Sequence, residues 1–149
     1  MRIALDSNVM IDAEAASDDR RGQLALDLIE AIRASDLLIP LQALGETLRW
    51  LIMKGRVSRE EAIERSSLWI AKYPSQETNL GVIRGAYELI ARHAFQSWDA
   101  IICSAASVGG ARLLLSEDMQ DGFRWRNVTI VNPFASPLSA VLQDILNKQ

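Results

Sequence analysis

Apolar and polar positions follow two rhythms along this chain. Short, mainly apolar runs occur at Ile3 to Leu5, Leu37 to Ile39, Ala111 to Leu115 (with Arg112 inside it) and Val128 to Val131 (with Thr129). Each is bounded by polar or turn-forming residues, the signature of a strand buried on both faces. Between these runs, apolar residues recur at helical spacing. Val9, Met10 and Ile11 follow the first run at once, so the opening strand stops at Asp6 and turns directly into a helix. Ser17, Asp18 and Asp19 supply a cap and an acidic first turn for a helix reaching about Ala34, with Leu24, Leu28, Ile29 and Ile32 on its apolar face. Pro40 ends the second strand and suits the start of a helix over about 41–54, stopped by Gly55. A capping box of Ser58 and Glu61 opens a helix to about Lys72. Pro74, Ser75 and Asn79 predict a loop, followed by a helix over about 80–94. Ser97 caps another over about 98–108, which Gly109 and Gly110 break. The polar stretch Ser116 to Gly122 turns the chain, Asn132 and Pro133 end the last strand, and 138–146 predicts a terminal helix.

Short strands alternating with long helices predict an α/β fold, a short and mainly parallel central sheet covered on both faces by helices. Length and composition fit one domain over 1–149: hydrophobic residues make up 49% of the chain and charged residues 23%. No apolar run approaches the roughly 18 residues that cross a bilayer. Asp6 and Asp12 interrupt the place where a signal peptide keeps its apolar region, so a cytoplasmic location is the expectation. Cys103 is the single cysteine, which excludes an internal disulfide and a cysteine-built zinc site. The net charge is −3, so a role on nucleic acid requires a local basic patch or bound cations.

In a parallel α/β sheet, ligands gather at the carboxyl ends of the strands, where the N-termini of the following helices also lie. Asp6 ends the first strand, and Glu46 falls about two turns into the helix after the second. Asp99 sits in the first turn of the helix capped by Ser97, and Asp118 follows the third strand with Ser116 beside it. Singly, each has an ordinary explanation: a helix cap for Asp6 and Asp118, a dipole-favoured first-turn acid for Asp99, a solvated face for Glu46. Jointly, carboxylates crowded on one sheet edge repel one another unless cations neutralise them, and hard ions such as Mg²⁺ or Mn²⁺ match oxygen donors. Such ions lower the pKa of bound water and stabilise charge developing on a phosphodiester.

The ordered set LDSN after the first strand, GE in the following helix, SWDAIICSAA, LLLSEDMQDG and VNPF resembles a PIN domain, nearest in pattern to VapC-like toxins of bacterial toxin–antitoxin pairs. That resemblance covers essentially the whole chain. It implies a metal-dependent ribonuclease with Asp6, Glu46, Asp99 and Asp118 as its acidic quartet. Asp6, Asp99 and Asp118 would hold Mg²⁺ or Mn²⁺, with Glu46 bound directly or through water. Asn8 and Ser116 would support the site, and Asp121 is a lesser ligand candidate. The resemblance further implies an RNA substrate, an antitoxin partner and a homodimer, with no membrane association.

Outside the quartet, Arg49, Arg124, Trp125 and Arg126 are candidate RNA contacts, Trp125 by stacking on a base. His93 is the only histidine and is expected at the boundary of an amphipathic helix; Cys103 is expected to be buried. Asp12 and Glu117 read as solvated or supporting residues. A haloacid-dehalogenase-type phosphatase asks for a second Asp where this chain has Asn8, and a receiver domain asks for a lysine in the stretch between Lys72 and Lys148, which has none. The remaining rival is a catalytically inactive PIN domain that only binds protein or RNA.

Overall fold

The structure, a computed structural model, describes residues 1–15 and 19–148. The first strand, β1 (Ile3–Leu5), leads through Asp6 into α1 (Ser7–Glu14), and α2 (Arg20–Ala31) follows. Asp19 caps α2 by accepting from the Arg21 N–H at 3.2 Å; the expected contributions of Ser17 and Asp18 lie outside the described residues. A 3₁₀ turn precedes β2 (Leu37–Pro40), which runs straight into α3 (Leu41–Met53). Then come α4 (Arg59–Lys72), β3 (Ser75–Gln76), α5 (Leu80–His93) and α6 (Ser97–Val108). The chain closes with β4 (Leu113–Leu115), β5 (Arg124–Trp125), β6 (Val128–Val131) and α7 (Ala140–Leu146).

The strands line up in the order β3-β2-β1-β4-β6-β5, parallel except for the last pair. Every residue of β1 and β4 is buried. Successive side chains of a strand point to opposite faces, so both faces of this sheet are covered. From β1 the chain moves outward to β2 and β3, then returns to the other side of β1 as β4. The strand order therefore reverses between β1 and β4, which opens a crevice at their carboxyl ends. Leu5, Leu115 and Val131 stand in register at that edge. The ladder continues past it, with Asp6 N–H donating to the Leu115 carbonyl at 2.9 Å and Ser116 N–H to that of Val131 at 3.1 Å. Backbone hydrogen bonding thus fixes Asp6 and Ser116 side by side.

Three elements depart from expectation. The predicted loop after Pro74 contains β3, an edge strand paired in parallel with β2. The segment with Arg124 and Trp125 is β5, the antiparallel outer strand on β6. At α6 the N-cap is Gln96 rather than Ser97, and no side chain caps that helix. Helix α5 packs closely on α6 because Gly85 lets it: a Cβ there would overlap Ser104 Oγ and lie 3.0 Å from the Trp125 ring.

Candidate functional site

The acidic centre is built around Asp6, only 2% exposed. Its Oδ1 accepts from Ser7 N–H at 2.6 Å and from Ser7 Oγ at 3.4 Å. Its Oδ2 accepts from Ser116 Oγ at 2.7 Å and Asn8 Nδ2 at 3.0 Å. Asn8 Oδ1 in turn accepts from Glu117 N–H at 3.2 Å, and Ser116 Oγ from Met119 N–H at 3.3 Å. The loops after β1 and β4 are therefore knitted together through one buried carboxylate. Asp6 is the helix cap that the sequence offered as the ordinary explanation, and it is more than a cap. Burial pushes its carboxyl up to about 6, against the hydrogen bonds from Ser116 and Ser7, and the charges of Asp99 and Glu46 add to the rise.

Asp99, in the first turn of α6, is also held above the usual carboxylate range, first by burial and then by the charges of Asp118 and Glu46. Cys103, one turn further along α6, is fully buried, and its thiol is pushed up to about 12 by burial with smaller contributions from Asp6 and Asp99. This is the inert, small core side chain expected of it. The mutual perturbations bring Asp6, Glu46, Asp99 and Asp118 into one electrostatic neighbourhood. They do not bring them to coordination distance: among the described residues, no three His, Cys, Asp or Glu side chains stand close enough to hold a metal ion as they are. In kind, the donors fit a hard divalent cation. All are carboxylate oxygens, and positive charge among them would relieve the repulsion that Asp6 and Asp99 feel.

Other candidates fall into place differently. Asp121 Oδ1 accepts from the Asn132 N–H at 2.8 Å, pinning the turn after β6, and Asn132 Oδ1 accepts from Phe134 N–H at 2.9 Å. Trp125 is 5% exposed and its indole donates to Glu88 Oε1 at 3.2 Å, so it offers no open face to a base; the stacking expectation is corrected by its place in the sheet. Arg126 is engaged with Glu88 at 2.9 Å and lies over the Trp125 ring at 4.1 Å. Arg124 and Arg49 are exposed.

Arg21 carries no signal in the sequence. Its guanidinium bridges Glu117, through Oε1 at 2.7 Å and also Oε2, and Asp12 Oδ2 at 3.1 Å, while lying 4.3 Å from the centre of the Phe134 ring. It holds the Glu117 carboxyl below the usual range and ties the loop bearing Asp118 to α1 and α2. Asp12 and Glu117, expected as supporting residues, meet through it. The concavities of the surface differ in their relation to the quartet. An apolar groove of about 350 Å³ between α1, α2 and α4 lies away from the carboxylates, whereas a polar cavity of about 270 Å³ includes Asp99 and Asp118 in its wall.

The family model described as PIN domain matches residues 3–124. No curated protein matches the chain. Among solved structures, a toxin–antitoxin complex from Klebsiella pneumoniae is similar with a TM-score of 0.68 and 17% identity, over 89% of this chain and 98% of that one. VapC20 of Mycobacterium tuberculosis, described as a sarcin–ricin loop cleaving toxin, gives a TM-score of 0.63 and 18% identity over 78% of this chain and 89% of that one. FitAcB from Neisseria gonorrhoeae gives 0.64 and 12%, over 89% and 98%. At these identities the likeness is one of fold.

Proposed function

The chain belongs to the PIN-domain family, and from that premise we propose that it is a metal-dependent endoribonuclease, the toxin of a toxin–antitoxin pair, acting on cytoplasmic RNA. The observation that carries this reading is the buried Asp6, fixed by Ser7, Asn8 and Ser116 and electrostatically joined to Asp99 and Glu46 at the crevice between β1 and β4. Asp6, Asp99 and Asp118 would hold Mg²⁺ or Mn²⁺, with Glu46 bound directly or through water. The cation, when bound, makes water a better nucleophile and neutralises charge on the phosphodiester. Asn8 and Ser116 orient Asp6 by donating to Oδ2, and Arg21 holds the loop from which Asp118 projects. Exposed Arg49 and Arg124 are open to the RNA backbone. An antitoxin partner is supported by the similar structures that are themselves toxin–antitoxin complexes. A homodimer belongs to the same reading, and exposed Met53, Leu80, Tyr87 and Trp98 are apolar side chains available to it.

One observation favours a binding-only PIN domain instead, namely that the carboxylates stand short of coordination distance. The test is cleavage of a mixed cellular RNA pool with Mg²⁺, Mn²⁺ or EDTA, beside Asp6→Asn and Asp99→Asn. Metal-dependent cutting lost in both variants is the expected result. No cutting with either ion, together with no change in Tm on adding Mn²⁺, would replace the nuclease with the binding module.

A further inference from the structure

Helix α5 ends on Ala94 in the left-handed conformation, φ 55°, and the chain reverses there to enter α6. That reversal sets His93, Phe95 and Gln96 along one side of the 270 Å³ cavity, with Asp99, Asp118, Met119 and Gln120 completing it. The Phe123 ring meets the His93 ring at 5.2 Å and 72°, so it steadies the exposed imidazole without stacking flat on it. Phe95 also meets Phe123, at 5.2 Å and 50°. Gln96 holds the N-cap position of α6 yet its side chain caps nothing, and the exposed amides of Gln96 and Gln120 make no side-chain hydrogen bond among the described residues. A cavity of this size falls just below the range of about 300–1,000 Å³ that takes drug-sized ligands. Its wall carries the carboxylates of Asp99 and Asp118 and no arginine or lysine, so without a cation nothing in it pairs with a phosphate, whereas the His93 ring and the Gln96 and Gln120 amides suit a neutral, planar, hydrogen-bonding group.

We propose that this cavity is a nucleobase subsite that takes an unstacked base next to the scissile phosphate, with the His93 ring as its platform and the Gln96 and Gln120 amides on its edge. Single-stranded RNA is recognised in this way, by rings that stack on splayed bases and by polar groups that read their Watson–Crick edges. The subsite would make the protein selective at one position beside the cut. This inference rests on the ribonuclease reading for its biological setting, but not for its test.

His93 is the only histidine, so its imidazole proton signals identify themselves in a one-dimensional NMR spectrum. The homotrinucleotides of A, C, G and U would each be titrated into the protein in EDTA, with inorganic phosphate as control. The expected result is a saturable shift of the His93 signals by one base over the others and none by phosphate. Gln96→Ala and Gln120→Ala, each with an unchanged melting curve, should weaken that binding about tenfold (about 1.4 kcal/mol). Equal shifts from all four trinucleotides, shifts from phosphate, or no shift would overturn the subsite. Base-selective binding in a protein that cuts no RNA would leave the subsite standing and remove the nuclease. Cutting whose position preference is identical in wild type and both variants would do the reverse.

Discussion

Asp6 is the residue where structure and chemistry pull against each other. A carboxylate with 2% exposure, raised to about 6 chiefly by burial, is ionised at neutral pH at a cost to the fold. Replacement by Asn keeps the shape and removes the charge. Asp6→Asn in EDTA at neutral pH should therefore be more stable than wild type, by about 3 kcal/mol on the scale of the shift. A denaturant midpoint that falls instead would mean that the hydrogen bonds from Ser7, Asn8 and Ser116 outweigh the buried charge. Asp6 was legible in the sequence because an acid interrupting two apolar runs is conspicuous. Arg21 was not, since it meets Glu117 across 96 positions and no local pattern records such a pair. The burial of Trp125 was not legible either, because Arg124 and Arg126 flank it with charge, whereas pairing with β6 buries its ring.

At the scale of elements, the long helices were readable from their periodicity, and β3 and β5 were not. Two residues are too few for an alternating pattern, and what makes them strands is a neighbour distant in sequence. β5 is held in part by Glu88 of α5, which accepts from Trp125 and Arg126. The hydrogen bond from Arg126 leads in holding the Glu88 carboxyl below its usual value of 4.5. A carboxyl lowered in the folded state adds stability above its unfolded pKa and loses it as pH falls through the lower, folded one. Glu88→Gln should thus be less stable than wild type near neutral pH, with the gap closing below about pH 4; a gap constant across that window would deny the pairing any role. On the same helix, Gly85→Ala must push Ser104 or Trp125 aside, at a cost of about 1–3 kcal/mol in a thermal melt. Ala94→Gly relieves a left-handed alanine and should gain about 1 kcal/mol.

Over the whole molecule, the two ends of the strands have opposite character: the carboxylate end was legible from the strand-to-helix junctions, whereas the arginine end depends on β5, which only its pairing with β6 defines. The carboxylates gather where β1 and β4 end. At the opposite end, Arg112 precedes β4, and Arg124 pairs in register with Thr129 at the start of β6. With Arg126 they line a cleft of about 390 Å³ that has no acidic side chain in its wall. The side chains of Arg112 and Arg124 make no hydrogen bond or ion pair among the described residues, so their charge is free to meet a polyanion. An acidic protein that handles RNA needs such a place, because the acidic edge repels the backbone until a cation intervenes. Each phosphate neutralised on a single strand contributes a slope of about −0.7 to log K against log salt. Charge removal in the double variant Arg112→Ala, Arg124→Ala should flatten the slope for a long unstructured RNA in EDTA by about 1.4, with lower affinity at low salt. An unaltered slope would mean that the backbone passes elsewhere, with Arg49 on α3 the next basic residue to replace.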